Sequence, residues 1–145
     1  MSEFYVTVGD EVTFSKTVSE SDIYGFAGIT GDFSPNHVND QYMKASSYGQ
    51  RIAHGALMVG YMSTTSTMMI AKTLRPDREE TPVSAGYDRI RFTGAVYIND
   101  TITVTYRIAS IELDRRRSRS EITVINQSGD TIAVGEHILQ WVPNS

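Results

Sequence analysis

The 145-residue chain has no cysteine. That excludes disulfides, thiolate metal sites and cysteine nucleophiles together, and it suits a reducing compartment. Positive charge is not in excess either. Thirteen Lys and Arg face seventeen Asp and Glu, for a formal net charge of -4, so neither a nucleic-acid duplex nor an anionic membrane surface is expected as a general partner. Long hydrophobic runs are missing. The longest apolar stretch, residues 53–71, contains His54 and is broken by many hydroxyl residues, which makes it a poor membrane span and a good buried helix. Residues 1–10 carry acidic side chains and no apolar signal core, so no secretory leader is expected and the cytoplasm is the default location. The sequence also lacks internal repeats, clusters with metal-ligand spacing, phosphate-binding glycine loops and nucleotide fingerprints. No metal or redox cofactor is therefore expected.

What is present is the balance of a globular protein, 40% hydrophobic and 21% charged, in a length that suits one domain over residues 1–145. The first half reads as mainly helical. A short strand is predicted over residues 11–17, where Val12 and Phe14 alternate with polar residues. Ser19 reads as a helix N-cap with Asp22 completing a capping box. The helix that follows should place Ile23, Phe26, Ala27 and Ile29 on one face and stop at Gly31. Residues 32–39 read as an irregular loop in which Pro35 blocks further helix. A short helix is predicted over 40–46, and a long one over 53–74 with no clear polar face, hence buried all round. A polar linker, 75–82, leads to the second half. There, strands are predicted over 87–96, 101–113, 117–125 and 131–142, with a bulge near Ile111 and a turn at residues 126–130. Four strands with tight connections behind one buried helix imply an α+β fold, a curved antiparallel sheet wrapped around a long central helix.

Chemistry concentrates in the run Thr30-Gly31-Asp32-Phe33-Ser34-Pro35-Asn36-His37. A carboxylate and an imidazole five residues apart, on a loop kept irregular by glycine and proline, can converge on one point. Such a pair moves protons near neutral pH, since histidine titrates there and a carboxylate can orient it or share its water. A plainer reading has Asp32 capping a turn and His37 exposed to solvent. A second element is His54-Gly55 at the start of the long helix. Free N–H groups and the positive end of the helix dipole lie there, and glycine admits a ligand carbonyl, so the Gly55 N–H is a candidate oxyanion donor. His54 itself reads as a capping or packing histidine.

These residues resemble the MaoC-like dehydratase family, which includes the (R)-specific enoyl-CoA hydratases of the hot-dog fold. The family's aromatic-Ala run, Gly-Asp, Pro and His are matched by Phe26-Ala27, Gly31-Asp32, Pro35 and His37. Its apolar-His-Gly signature is matched by Ile52-Ala53-His54-Gly55-Ala56-Leu57-Met58. The likeness extends to Val8-Gly9-Asp10 and to the turn Tyr97-Ile98-Asn99-Asp100. It implies reversible hydration of a 2-enoyl-CoA to a 3-hydroxyacyl-CoA, with Asp32 and His37 as the catalytic pair and Gly55, Ser63 and Ser34 as oxyanion and substrate-binding residues. It implies a coenzyme A thioester as substrate, no cofactor, and a homodimer or higher homo-oligomer. Ser34 stands where Asn is usual, Asn36 where an aliphatic residue is usual, and Asn99 where a turn glycine is common.

Other readings share this frame. A 3-hydroxyacyl-carrier-protein dehydratase would use the same pair, and a non-catalytic acyl-CoA-binding module would leave it idle. A thioesterase would place its acid on the central helix, where residues 53–71 offer no carboxylate. Met58, Met62, Met68 and Met69 read as core, with a minority lining an acyl tunnel. Arg115, Arg116, Arg117 and Arg119 read as a solvated hairpin, while Arg51, Arg89 and Arg91 are candidates for coenzyme A phosphates.

Overall fold

A computed structural model describes residues 4–145. The order along the chain is β1 Glu11–Thr17, α1 Glu20–Thr30, α2 Pro35–Val38, α3 Asp40–Lys44, α4 Gly55–Thr73, β2 Glu80–Phe92, β3 Thr101–Glu112, β4 Arg117–Ile125 and β5 Thr131–Pro143. The strands form one antiparallel sheet in the order β1-β3-β4-β5-β2. Its inner face carries Ile102, Val104, Tyr106 and Ile108 of β3, each fully buried, with Ile122 and Val124 of β4 and Leu139 and Trp141 of β5. These residues share one core with Leu57, Met58, Tyr61, Met62 and Met69 of α4. The α+β arrangement of a curved antiparallel sheet packed on one long helix is as the sequence predicts.

Local signals explain most boundaries. Ser19 caps α1, its side chain accepting from the Asp22 amide while Asp22 accepts the Ser19 amide. Gly31 ends α1 in the left-handed region at φ 82°. Asn99 also adopts a left-handed conformation, φ 72°, in the turn before β3. A register shift between Ile108 and Ser110 is the bulge heralded by the change of parity at Ile111.

Several expectations are corrected. Pro35 does not prevent helix; it starts α2 as its first residue, where its missing N–H costs nothing. Ile29 is 85% exposed. It lies six residues beyond buried Ile23, a rotation of about 240° at 3.6 residues per turn. The linker is shorter than predicted, because β2 begins at Glu80 and pairs Pro82 with Trp141. Its register shifts twice, at Ser84/Gly86 and Asp88/Arg91, which erases the alternation that would have marked it. Helix α4 is not buried all round. Ala56, Gly60, Ser63, Thr67 and Ala71 form an exposed stripe of small side chains. The hairpin arginines are paired rather than merely solvated. Arg116 engages Glu80, which also accepts from Tyr5; Arg117 reaches Glu112 at 3.0 Å and Arg119 reaches Asp88 at 2.9 Å.

One buried ionisable group sits in the sheet away from α2. His137 on β5 is fully buried, with Nε2 2.7 Å from the Ser84 hydroxyl and Nδ1 2.8 Å from the Tyr106 hydroxyl. Burial pushes its pKa down to about 4. Between the ordinary imidazole value and that one, the unfolded chain binds a proton here that the folded chain refuses, so stability falls as pH falls. Urea titrations should show a loss of about 2 kcal/mol from this residue between pH 7 and pH 5. His137→Gln, less stable throughout, should lack that component; an unchanged slope would refute its origin in His137.

Candidate active site

The candidate residues Asp32, His37 and Gly55 meet where α2 abuts the start of α4. Ile52 makes the join. Its amide donates to the Asn36 carbonyl at 3.0 Å, and its own carbonyl accepts from His37 Nδ1 at 2.7 Å. The next amide, Ala53, donates to the Val96 carbonyl at 2.7 Å, and Ile52 bridges Tyr97, tying the join to the chain between β2 and β3. A carbonyl only accepts, so His37 carries its proton on Nδ1 when neutral and leaves Nε2 as a lone pair.

Asp32, His37 and His54 each bring a potential ligand atom within 4.8 Å of the others. Asp32 is exposed and His37 half-buried. The Asp32 Oδ1 accepts the Ser34 amide at 3.2 Å, which shapes the loop and leaves Oδ2 for another partner. His54 is buried, 1% exposed. Its Nε2–H donates to the Asp32 main-chain carbonyl at 2.9 Å, and its ring stacks on His37 with centroids 3.7 Å apart and planes 26° apart. Burial lowers the His54 pKa, and the neighbouring His37 adds to that, against the opposing pull of Asp32. The three residues make a poor metal cage. In stacked rings the in-plane lone pairs run side by side, whereas a tetrahedral site needs them to converge.

Helix α4 starts beside this group without a side-chain cap from His54. The Leu57 amide turns back to the His54 carbonyl at 3.1 Å, which leaves the Gly55 N–H ahead of it as the candidate donor to a ligand oxygen. Gly55, His37, Ile52 and Ala53 line a cleft of about 450 Å³ with Tyr48, Phe92 and residues 93–95. A Cβ on Gly55 would stand 2.7 Å from the Phe92 ring, so glycine is required for this close approach.

The structure thus gathers Asp32, His37 and Gly55. Ser34 stands on the same loop as N-cap of α2, with no side-chain cap bond. Ser63 is apart, about 12 Å along the α4 axis from Gly55 at 1.5 Å per residue. It is exposed and sits beside the Tyr87 hydroxyl. Of the three arginines suggested for phosphates, Arg51 is committed to Asp40, Glu20 and the Tyr24 hydroxyl. Arg91 donates to the Ile90 carbonyl, and Arg89 lies in a bulge 3.9 Å from Glu136. Sequence reasoning missed His54 as a member of the group; its adjacency to Gly55 was the signal.

The family model described as "MaoC like domain" matches residues 3–129. An (R)-specific enoyl-CoA hydratase of Rhodospirillum rubrum is 33% identical over 108 residues, covering 74% of this chain and 69% of the relative. A 3-hydroxybutyryl-CoA dehydratase of Methylorubrum extorquens is 31% identical over 136 residues, covering 94% and 80%. Among solved structures, the (R)-hydratase of Aeromonas caviae involved in PHA biosynthesis superposes with a TM-score of 0.79 at 19% identity, covering 93% of this chain and 96% of that one. That likeness establishes the hot-dog fold.

The packing at Gly55 can be tested directly. Gly55→Ala should destabilise the protein by about 1–3 kcal/mol through overpacking. Adding Phe92→Ala should recover part of that loss, a coupling of at least ~0.5 kcal/mol in a double-mutant cycle. Strict additivity would remove Phe92 as the cause.

Proposed function

The chain belongs to the MaoC-like domain family, and from that premise we propose that it is a hydro-lyase adding water reversibly across the double bond of a 2-enoyl-CoA. The observation that carries the reading is the convergence of Asp32 and an Nδ1-protonated His37 beside the uncapped start of α4. Both sequence relatives named above carry names of this chemistry, at about one-third identity over most of the chain.

The reaction follows from the proton inventory. Water sits between the free Asp32 oxygen and His37 Nε2. As its oxygen bonds to the β-carbon, its proton passes to Nε2, and the π electrons move toward the thioester carbonyl. The Gly55 N–H and the α4 dipole stabilise the resulting enolate oxygen; losing one such donor typically costs ~10²–10³ in turnover. Collapse of the enolate draws the proton from Nε2 to the α-carbon. One water has been added and both groups are restored. Asp32 orients the water and balances the transient imidazolium. His37 acts as base and then acid because its tautomer leaves only Nε2 free. Asn36 is exposed and contributes its main-chain carbonyl to Ile52. An amide side chain in place of an aliphatic one is therefore compatible with this role.

The chain should work as a homodimer. Support comes from the exposed small-residue stripe on α4, which admits close packing, and from β2, whose outer edge lies unpaired at the end of the sheet. Light scattering on the purified chain should give twice the monomer mass, and Gly60→Glu should shift it to monomer. A monomeric wild type would contradict this. No helix among the described residues is long and apolar enough to cross a membrane.

Asp32→Asn and His37→Ala should each lower hydration of crotonyl-CoA by ~10²–10⁴, the range of lost acid–base catalysis, while melting within a few degrees of wild type. Both side chains stand in a loop and a one-turn helix outside the buried core. Near-normal rates in either variant would overturn the assignment.

A further inference from the structure

We propose that His54 is a positioning residue that clamps the two catalytic groups to each other, holding the Asp32 main chain through its Nε2–H and carrying the His37 imidazole on its ring face. This rests on the reading of Asp32 and His37 as the catalytic pair.

Asp32 needs such an anchor. It follows Gly31, and its other hydrogen bonds are to residues two positions away, from its amide to Thr30 Oγ1 and from the Ser34 amide to its carboxylate. The bond from His54 to the Asp32 carbonyl, 2.9 Å across 22 residues, ties that loop to the helix whose start binds the thioester. His54 is itself held on both sides. The ring of Phe26 on α1 packs at 4.7 Å and 62°, and the ring of His37 on α2 stacks at 3.7 Å. Imidazole supplies two things at right angles, an in-plane donor for the carbonyl and a flat face for the second ring. Neither Phe nor Gln supplies both.

The remaining nitrogen argues against a purely structural role. Nδ1 of His54 is buried with no hydrogen-bond partner. A lone pair in that position is destabilising, and an apolar ring would not carry that cost. Among the charged and titratable groups, Asp32 from the loop and His37 from α2 act on this ring, while α1 offers only the uncharged Phe26 edge. Burial keeps His54 neutral, so it remains a single donor and the proton exchanged in turnover goes to His37.

The test compares His54→Phe, which keeps the face, with His54→Gln, which keeps a donor. Three quantities are read: melting temperature, kcat and KM for crotonyl-CoA, and the tautomer and ring resonances of His37 in long-range ¹H–¹⁵N spectra. His54→Phe should melt at or above the wild-type temperature, yet lose at least ~10-fold in kcat with KM within about threefold, since misplacing a reacting group costs rate more than binding. The His37 ring resonances should move in both variants, and His54→Gln should recover part of kcat. A folded His54→Phe with unchanged kcat and unchanged His37 resonances would overturn the proposal, as would a loss of kcat in both variants that merely tracks unfolding. Should the wild type turn over no 2-enoyl-CoA, the reaction assignment fails on its own. The His37 spectra would still decide whether His54 holds that ring.

Discussion

Everything at the site depends on the main chain of Ile52. One residue accepts from His37 with its carbonyl and donates to Asn36 with its amide, so α2 is stitched to the chain entering α4 by two bonds in opposite directions. The Ala53 amide carries the same segment onto the Val96 carbonyl. These bonds fix the His37 tautomer, its distance from the α4 N-terminus and its registration with the sheet. A lysine or glutamate in place of His37 could not answer both demands. Lysine has no second nitrogen once its first is engaged, and a carboxylate cannot donate to the Ile52 carbonyl.

The fold divides labour between its two layers. The sheet and α4 supply a closed apolar core whose strand order leaves only β1 and β2 as edges. The segment between α1 and α4 carries the candidate residues Asp32 and His37 on short pieces that this core holds in place. Glycine and proline act differently from one another there. Gly31 turns the chain out of α1, Pro35 starts α2, and Gly55 lets Phe92 lie against the helix start.

Legibility from sequence followed locality. Asp32, His37 and Gly55 could be found because each stands in a short run whose backbone behaviour glycine or proline dictates. The strands β3, β4 and β5 were legible because alternation of period two survives along most of their length. Where the deciding contact is remote, the sequence was silent. His54 belongs to the site through a carbonyl 22 residues away and a ring 17 residues away, and neither leaves a periodic mark. Strand β2 was misplaced at its start because two register shifts and Pro82 scramble its pattern. The stripe of Ala56, Gly60, Ser63, Thr67 and Ala71 looked buried because small residues suit a core as well as a close-packed surface. Arg116 and Arg119 looked solvated because their partners, Glu80 and Asp88, lie on another strand.

The central claim is that this site adds water to carbon rather than to the thioester carbonyl, using one proton carrier on one side of the substrate. The direct test is incubation with crotonyl-CoA in D₂O, followed by NMR and chiral analysis of the product. The product should be intact (R)-3-hydroxybutyryl-CoA with one deuterium at the α-carbon, placed on the same face as the new hydroxyl. Free coenzyme A without a 3-hydroxy product, or deuterium scattered over both α positions at first turnover, would contradict it.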